Sequence, residues 1–504
     1  MLTVLLMSAT VLTACSDDDG SSDDPTTDAG MDTATTTDTG GGTTDTGMVD
    51  TGMTDTGMTD TGMTDTDMPD TDMPDTDMPD TDMPDGGPIE ERVVCDNPVM
   101  PPPAEGVCDV SGSDPELSSH ILIQGTVLAP DAVYEQGQVL VLKGDPNATI
   151  ACVGCDCQAQ APEATTLIQC PEGVISPGLI NAHDHLRFSV SRPDLPPNGE
   201  RFDHRHDWRE GRRNHTELDS SSSNARAGLL WGEVRMLLGG ATSIAGSTFN
   251  TSAQDLLRNL DVSDQNGGLG NWAARYETFP LDDTSGVFQV GNCDYNIDSD
   301  SVLNNRVYLP HIAEGIDREA QNEFRCLSSN EGGGTDLVED NTSVIHGIAL
   351  TPFDIALMAA DGAELVWSAR TNIQLYGHTA PVVTYKNLGV TIALGTDWSA
   401  SGSINVLREL QCFDYLNQNH YNATFTDREL WEMATINGAQ ALGGGDLLGQ
   451  LAQDYVADIT IFDGREHQDF RAVIDAELED VVLVMRGGEP LHGDAAVVAK
   501  LVPG

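Results

Sequence analysis

Two histidines stand one residue apart at the end of an apolar run. The segment Val174–Leu186 reads VISPGLINAHDHL, so His183 and His185 follow hydrophobic residues and a Pro-Gly pair. Alternate side chains of a strand point to one face, which places both imidazoles together and Asp184 opposite them. Such a pair forms half of a metal site. An isolated His-x-His is more often a pair of surface or capping histidines, so the interpretation depends on ligands elsewhere in the chain.

Other polar residues that could complete such a site also come directly after predicted strands. They are His311 with Glu314, His346, and Asp397 in the sequence GTD. The carboxyl ends of the strands of a (β/α)8 barrel form one face, where this fold keeps its active sites. We therefore expect these side chains to meet His183 and His185.

The elements that must position these residues alternate between predicted strands and helices. Residues 225–238 have the apolar spacing of a helix, and Thr351 begins a sequence typical of a helix N-terminus. Such alternation predicts a parallel sheet, whereas the earliest and latest strands lie outside it. The predicted fold is therefore α/β, with a (β/α)8 TIM barrel at residues 177–451. The barrel is inserted into a small β-sandwich formed by residues 119–176 and 452–504.

A long acidic segment precedes these elements. The 504 residues carry a net charge of −57, and no Lys or Arg precedes Arg92. Residues 15–118 are predicted to form a disordered Asp/Thr-rich tether followed by a linker rich in Cys and Pro, because they contain little apolar area to bury. The negative field of the chain argues against nucleic acid and anionic membrane surfaces as partners.

The first residues resemble a bacterial lipoprotein signal. Residues 1–14 are mostly apolar and small, and the sequence LTAC places Cys15 where lipid would be attached after cleavage. The apolar segment is short and has no preceding Lys or Arg, so an uncleaved N-terminus is the alternative. The resemblance implies a protein held by its lipid on the outer side of a bacterial membrane, periplasmic or at the cell surface. Membrane association is expected through this N-terminal lipid alone.

The chain contains ten cysteines, and export favours disulfides. We expect Cys95 to pair with Cys108, with further pairs formed within a second group, although connectivity cannot be read from sequence. That second group consists of Cys152, Cys155, Cys157 and Cys170. Its first three members could instead bind zinc, but no second clear Cys or His pair accompanies them.

The segment between Phe188 and His215 follows the His-x-His pair and is expected to lie over the site. It concentrates arginines in an otherwise acidic chain, and Arg205 and Arg209 are candidates to bind a substrate carboxylate or phosphate. Acidic residues are interleaved with them. A solvated loop held by ion pairs is therefore the alternative.

The order of these motifs resembles the amidohydrolase superfamily, and most closely its cytosine deaminase and chlorohydrolase-like branch. The residues that carry the resemblance are His183-x-His185, His311-x-x-Glu314, His346-Gly347 and Gly395-Thr396-Asp397, with PGLINA before them at 177–182 and ATINGAQALG after them at 434–443. The likeness covers roughly residues 120–497.

The resemblance implies one divalent metal, zinc or iron, held by His183, His185, His311 and Asp397. Three neutral imidazoles and a carboxylate suit a divalent first-row metal, which lowers the pKa of bound water. Asp397 would take a proton from that water, and Glu314 would shuttle a proton to the substrate nitrogen. His346 would orient the hydroxide and polarise the attacked carbon.

The chain departs from its apparent relatives after the seventh barrel strand. Many of them carry His-Cys-Pro-x-Ser-Asn there, whereas this chain has WSART followed by Asn372. Trp367 and Asn372, with Trp398 after the eighth strand, are then candidate substrate contacts. A fourth-strand Lys that would bridge two metals is not found, which favours one metal.

The resemblance implies a hydrolase of carbon–nitrogen bonds other than peptide bonds. The expected reaction is deamination of a cyclic amidine or heterocycle by metal-bound hydroxide, on a small nitrogen heterocycle or cyclic amide. Two alternatives stay open: a ring-opening cyclic amidase of the imidazolone type, and a catalytically inactive surface binding protein. The intact ligand set argues against the second. A homo-oligomer is compatible with the sequence.

Overall fold

The computed structural model describes residues 91–193, 196–246, 256–297, 299, 302 and 305–502. The predicted signal, Cys15 and the acidic repeat lie outside these residues. None of the described helices is long and apolar enough to cross a membrane.

The described residues form strands and α-helices in the following order. The strands are β1 (Glu91–Val94), β2 (Asp109–Gly112), β3 (His120–Leu128), β4 (Ala132–Leu142), β5 (Thr149–Gly154), β6 (Thr165–Pro177), β7 (Leu179–Asn181), β8 (Ala241–Ile244), β9 (Arg258–Asn259), β10 (Arg275–Glu277), β11 (Tyr308–Ile312), β12 (Ser343–His346), β13 (Glu364–Trp367), β14 (Ile392–Leu394), β15 (Ile459–Asp463), β16 (Val481–Arg486) and β17 (Glu489–Gly493). The helices are α1 (Arg205–Glu210), α2 (Arg226–Leu238), α3 (Arg318–Leu327), α4 (Pro352–Ala360), α5 (Ala369–Tyr376), α6 (Val382–Asn387), α7 (Val406–His420), α8 (Asp427–Met433), α9 (Ile436–Ala441), α10 (Arg471–Ile474) and α11 (Ala495–Leu501).

Strands from both ends of the described chain form one nine-stranded sheet. Its order is β1-β4-β3-β6-β15-β16-β17, with β2 paired to β6 and β5 to β4. The early and late strands meet where β6 and β15 pair antiparallel, with Ile459 opposite Pro177. Apolar side chains of both groups, among them Ile175 and Leu483, are buried in one cluster. The expected association of early and late strands is observed as a single sheet, and its form as a two-layered sandwich stays a prediction.

Eight parallel strands carry the alternating part of the chain. Strands β7 to β9 form a three-stranded sheet, and β10 to β14 form a five-stranded sheet. The two sheets are linked by a parallel bridge between Asp184 and Asp397, and Ala182 N–H donates to the Leu394 carbonyl. Helices α2 to α9 follow these strands. This is a TIM-barrel-like α/β arrangement with the carboxyl ends of β7 and β14 side by side.

The two parts of the fold are continuous at one point. Only Gly178 separates β6 of the nine-stranded sheet from β7 of the parallel strands. A Cβ at Gly178 would lie 2.3 Å from a side-chain atom of Thr242, so the close approach of β7 and β8 requires glycine here.

The helices predicted from capping and periodicity are confirmed. The Thr351 side chain accepts a hydrogen bond from the Asp354 amide, and the Asp354 carboxylate accepts one from the Thr351 amide, so α4 begins with a reciprocal cap. Pro352 occupies the first helical position, where no amide donor is needed. The segment predicted at 225–238 is α2, Arg226–Leu238.

The expected Cys95–Cys108 bond is wrong, because sheet pairing brings other cysteines together. Cys108 precedes β2, which pairs antiparallel with β6, and it bonds to Cys170 on β6 with a Cα–Cα distance of 4.1 Å. Cys95 follows β1 and bonds to Cys155. The remaining described disulfides are Cys152–Cys157, which falls within the expected group, and Cys293–Cys326. Because Cys152, Cys155 and Cys157 all form disulfides, they do not offer a zinc site.

Candidate active site

The predicted ligands meet at the carboxyl ends of the parallel strands. Ring nitrogens of His183, His185 and His311 lie within 4.8 Å of one another, as do the ligand atoms of His183, His346 and Asp397. Asp397 Oδ1 lies 3.2 Å from His183 Nε2 and 3.3 Å from His185 Nε2. The structure therefore brings together all four proposed ligands, with His346 beside them.

The backbone around these residues is conformationally restricted. His346, the last residue of β12, has φ 78°, and Asp397, just after β14, has φ 60°. Residues other than glycine rarely adopt such angles, and they recur at functional sites. Gly395 permits the eighth strand end to approach the first, since a Cβ there would lie 2.6 Å from the His183 Cβ.

Asp184 anchors the His-x-His segment on the side opposite to the two imidazoles. Its two carboxylate oxygens accept hydrogen bonds from Arg235 Nη2 at 2.9 and 2.8 Å, and Thr396 Oγ1 donates to Oδ2 at 2.6 Å. Asp184 and Arg235 are both buried. The expectation that Asp184 points opposite to the two imidazoles is met, and its ion pair links α2 to the first and eighth strand ends.

Two imidazoles are oriented by their outer nitrogens. His311 Nδ1 donates to the Glu277 carbonyl at 3.1 Å, and His183 Nδ1 lies 2.9 Å from the Tyr276 hydroxyl. Their Nε2 atoms are buried and have no hydrogen-bond partner of good geometry within the described part of the chain. Outer partners of this kind fix the tautomer of a metal-binding histidine. The unmatched Nε2 atoms, gathered with an Asp397 oxygen, fit a divalent metal.

Burial sets the protonation of these groups. Burial lowers the pKa of His183 to about 3. Burial, reinforced by the neighbouring His183, also holds the pKa of His311 well below its ordinary value. Burial alone would raise the pKa of Asp397, but polar contacts with His183 and His185 outweigh it and hold this pKa well below its usual range. Neutral imidazoles and an ionised carboxylate are the forms that bind metals.

Glu314 lies next to the ligand cluster and is held by a tyrosine. Glu314 Oε2 is 3.5 Å from His346 Nε2, and Tyr376 Oη donates to Glu314 Oε1 at 2.7 Å. Trp208 Nε1 donates in turn to the Tyr376 hydroxyl at 2.8 Å. The carboxylate is thereby directed by a chain of two donors that ends on α1.

A cavity of about 300 Å³ opens onto these residues. Its inner end is formed by His185, His311, Glu314, His346 and Asp397. Aromatic residues form much of its wall, with Trp398 packed 4.9 Å from Trp208 and 5.5 Å from Phe188 between ring centroids. Trp398 is thus where the sequence predicted a substrate contact. A cavity with convergent polar groups and apolar walls is suited to a small cyclic ligand.

Arg205 and Arg209 also reach the cavity wall, but both have protein partners. Arg205 is buried and its Nη2 lies 2.8 Å from Asp283 and 3.1 Å from Glu323. Arg209 lies 2.6 Å from Glu210 and donates to the Thr284 carbonyl. Ion pairs therefore hold much of this segment, as the alternative interpretation of the sequence expected. Arg205 differs from that interpretation because it is buried and not solvated.

The structure does not place Trp367 or Asn372 on the cavity wall, which corrects the expectation of substrate contacts. Trp367 is fully buried, donates from Nε1 to Thr379 Oγ1 and packs 4.5 Å from the Phe413 ring. Its indole ring therefore packs against helix α7, outside the parallel strands. Asn372 is also buried, and its Oδ1 accepts from His346 Nδ1 at 3.2 Å. Asn372 therefore orients His346.

Several cavity residues were not singled out as site residues by the sequence analysis. Phe279 and Arg187 are part of the cavity wall, whereas Tyr276 contacts His183 without lining the cavity. Tyr276 and Phe279 come from a short strand and its following loop, which carry no motif. Arg187 could have been found, because it follows His185 by two residues and directly precedes the segment expected over the site.

Comparison with known families and curated proteins gives consistent matches. Residues 311–492 match the Amidohydrolase family. The chain is 26% identical over 373 residues to 5-methylthioadenosine/S-adenosylhomocysteine deaminase of Halobacterium salinarum, covering 67% of this chain and 83% of that protein. It is 25% identical over 342 residues to the protein of the same name from Thermococcus onnurineus, covering 60% and 76%.

Solved structures share the fold at low sequence identity. An adenosine deaminase from Xanthomonas campestris with bound zinc aligns with a TM-score of 0.52 at 18% identity, over 76% of this chain and 94% of that chain. Atrazine chlorohydrolase from Arthrobacter aurescens, complexed with zinc, aligns with a TM-score of 0.53 at 19% identity, over 74% and 95%. These alignments support the TIM-barrel-like domain. The match to the Amidohydrolase family covers residues 311–492, which include His311, His346 and Asp397 of the clustered side chains.

Proposed function

We propose that this protein is a metal-dependent hydrolase that removes an amino group from a nitrogen heterocycle. The proposal is supported by relatives named as deaminases over most of their length and by the match to the Amidohydrolase family. The observation that carries it is the approach of Glu314 to His346 within 3.5 Å, beside four residues able to bind one metal. A proton-transferring carboxylate is thereby available next to a metal centre.

His183, His185, His311 and Asp397 would hold the metal, which we propose to be zinc. The ligand set suits it, and two of the similar structures contain zinc. Iron is the other candidate for such ligands. When bound, the metal lowers the pKa of a water molecule.

The protein's own residues would move the protons. Water adds to the ring carbon that bears the amino group, and Asp397 accepts one of its protons. Glu314 donates a proton to the adjacent ring nitrogen. His346, oriented through Nδ1 by Asn372, presents Nε2 toward the site and orients the oxygen that is adding. Asp397 then passes its proton to the amino group, the carbon–nitrogen bond breaks and ammonia leaves. The added hydroxyl returns a proton to Glu314, so a carbonyl group remains on the ring and both carboxyl groups regain their starting state.

Glu314→Gln tests this assignment. The variant should keep its metal, because Glu314 is not among the proposed ligands, and should lose at least a hundredfold in kcat. Ammonia release would be measured on a panel of aminopurines, aminopyrimidines and cyclic amides, with metal content measured by mass spectrometry. Glu319→Gln, on α3, is the matched control and should retain both properties.

Each outcome of the panel has a distinct meaning. Near-normal turnover of the Glu314 variant would remove its assigned role. Ring opening without ammonia release would favour the cyclic amidase, and turnover of no compound by a metal-loaded protein would favour a binding protein.

We also propose that the parallel strands close into a complete barrel spanning residues 177–451, inserted between the two groups of strands at 119–176 and 452–504. We further propose that Cys15 carries lipid and anchors the protein on the outer side of a bacterial membrane. The sequence LTAC before an acidic segment supports the anchor. Cys15→Ser should move the protein from the membrane to the soluble fraction, and unchanged partitioning would contradict the anchor.

A further inference from the structure

Three arginines line the cavity, and they differ in what they contact. Arg205 pairs with Asp283 and Glu323, and Arg209 pairs with Glu210. The charge of these two side chains is therefore largely offset by neighbouring carboxylates.

Arg187 is the third arginine of the cavity wall. Its guanidinium makes no hydrogen bond or ion pair with any residue that the structure describes, and its Nε is buried without a partner. Its Cζ lies 5.0 Å from the centroid of the Phe188 ring. The Nε atoms of Arg205 and Arg209 are buried without a partner as well, so Arg187 is distinguished by having no described protein acceptor for its terminal nitrogens either. A ligand that carries an acceptor can satisfy these donors.

The position of Arg187 relates this donor to the proposed reaction. It follows His185 by two residues, and Phe188 beside it packs against Trp398. An anionic group held by Arg187 would therefore belong to the same ligand whose ring lies between the aromatic walls and the inner histidines.

We propose that Arg187 binds a carboxylate carried by the substrate, so that the enzyme acts on carboxylated amino-heterocycles. This inference rests on the proposed function. A guanidinium matches a carboxylate through two parallel N–H···O bonds. A single carboxylate also fits the charge of the site better than a phosphate does. Only one of the three cavity arginines lacks an acidic partner, and Glu314 and Asp397 would repel a doubly charged group.

Two matched sets of probes test the carboxylate, each on the metal-loaded full chain. One set is adenosine, its 5′-carboxylic acid and its 5′-monophosphate. The other is 4-aminopyrimidine and 4-aminopyrimidine-5-carboxylate. Binding is measured by calorimetry and turnover by ammonia release, for the wild type, Arg187→Met and the control Arg192→Met. Arg192 is exposed, lies in the same loop and is not part of the cavity wall.

The carboxylated member of a set should bind and react at least tenfold better than its neutral counterpart. Arg187→Met should reduce this preference at least tenfold, and Arg192→Met should leave it unchanged. Equal affinities and turnover rates for the neutral and carboxylated probes would overturn the proposal. It would also be overturned if Arg187→Met weakened the binding of both probes by the same factor. A preference for the monophosphate would overturn the carboxylate in favour of a phosphate.

The two proposals can fail separately. Arg187-dependent binding of a carboxylated probe without ammonia release would support the carboxylate site and overturn the deaminase function. Ammonia release at equal rates from neutral and carboxylated probes would support the deaminase function and overturn the carboxylate site. Failure of every carboxylated probe to bind would count against the site.

Discussion

Tyr376 donates a hydrogen bond of 2.7 Å to Glu314, and both residues are buried beside the proposed metal ligands. Tyr376 is the last residue of α5, the helix that follows Trp367 and contains Asn372. Burial, together with the nearby Glu314, holds the pKa of Tyr376 well above its ordinary value, so the phenol remains a donor. The segment thus contributes a group that positions the proposed proton carrier.

Tyr376→Phe should therefore lower kcat about tenfold while changing KM little, because a hydrogen bond to a charged group contributes about 1.5 kcal/mol or more. Steady-state kinetics on a substrate identified in the heterocycle panel would show whether kcat falls while KM changes little. Metal content should stay at the wild-type level. Tyr455→Phe removes a tyrosine hydrogen bond to the Gly445 carbonyl and is the control. An unchanged kcat would contradict the positioning role.

Metal binding should stabilise the folded chain, because the ligand atoms meet only in the folded state. Purified protein should hold about one zinc per chain, and removal by a chelator should lower Tm, with recovery on adding zinc. His311→Ala should lose the metal and this response, whereas His467→Ala, on the surface, should keep both. A purified protein that contains no metal, and whose Tm does not change when zinc is added, would argue against the site.

Arg205 should matter chiefly for stability. Burial alone would raise the pKa of Asp283, but the neighbouring Arg205 and His206 hold this pKa below its usual range. Arg205→Met would leave Asp283 and Glu323 buried without their cation, which should cost about 3–5 kcal/mol of the free energy of unfolding. Urea denaturation measures this. Arg318→Met, at an exposed position, should change stability by less than about 0.5 kcal/mol. Equal stabilities of the two variants would contradict the structural role.

Glu364 should make stability fall as pH rises. Burial at the start of β13 raises its pKa from 4.5 to about 7, and a hydrogen bond from Ser343 opposes the shift. The folded state therefore binds more protons than the unfolded state. The stability from protonated Glu364 is complete below about pH 4.5 and is lost as pH rises through 7.

Glu364→Gln should accordingly be more stable than the wild type at pH 8, by up to about 3 kcal/mol, and similar to it at pH 4. Urea denaturation at both pH values would show this. Glu331→Gln changes an exposed glutamate and should show no such difference. The same stability difference at both pH values would exclude Glu364 as the source of the pH dependence.

The sequence predicted those site residues whose positions follow from strand ends. His183 and His185, His311 and Asp397 each come after an apolar run, and the parallel arrangement alone brings such residues to one face. The capped start of α4 was predictable for a similar reason, since Thr351 and Asp354 act within one turn. The reaction class inferred from the motifs is supported by the named relatives.

Contacts between distant segments could not be predicted in this way. Cys108 bonds to Cys170 because β2 pairs with β6, and no local pattern reveals that pairing. Trp367 is the last residue of the parallel strand β13, yet its indole packs against Phe413 on α7. Which arginine lacks an acidic partner depends on Asp283 and Glu323, which are far from Arg187 in sequence.

The junction at Gly178 has a consequence for how the protein matures. Strand β6 continues through this single residue into β7, which leads to His183, and the partner of β6 on one side is β15. Residues 459–463 are made after Asp397, which is the last of the proposed metal ligands along the chain. Strand β6 therefore gains β15 as its neighbour only when all four proposed ligands have been synthesised. Stable metal uptake should consequently be a late event that follows the synthesis of β15.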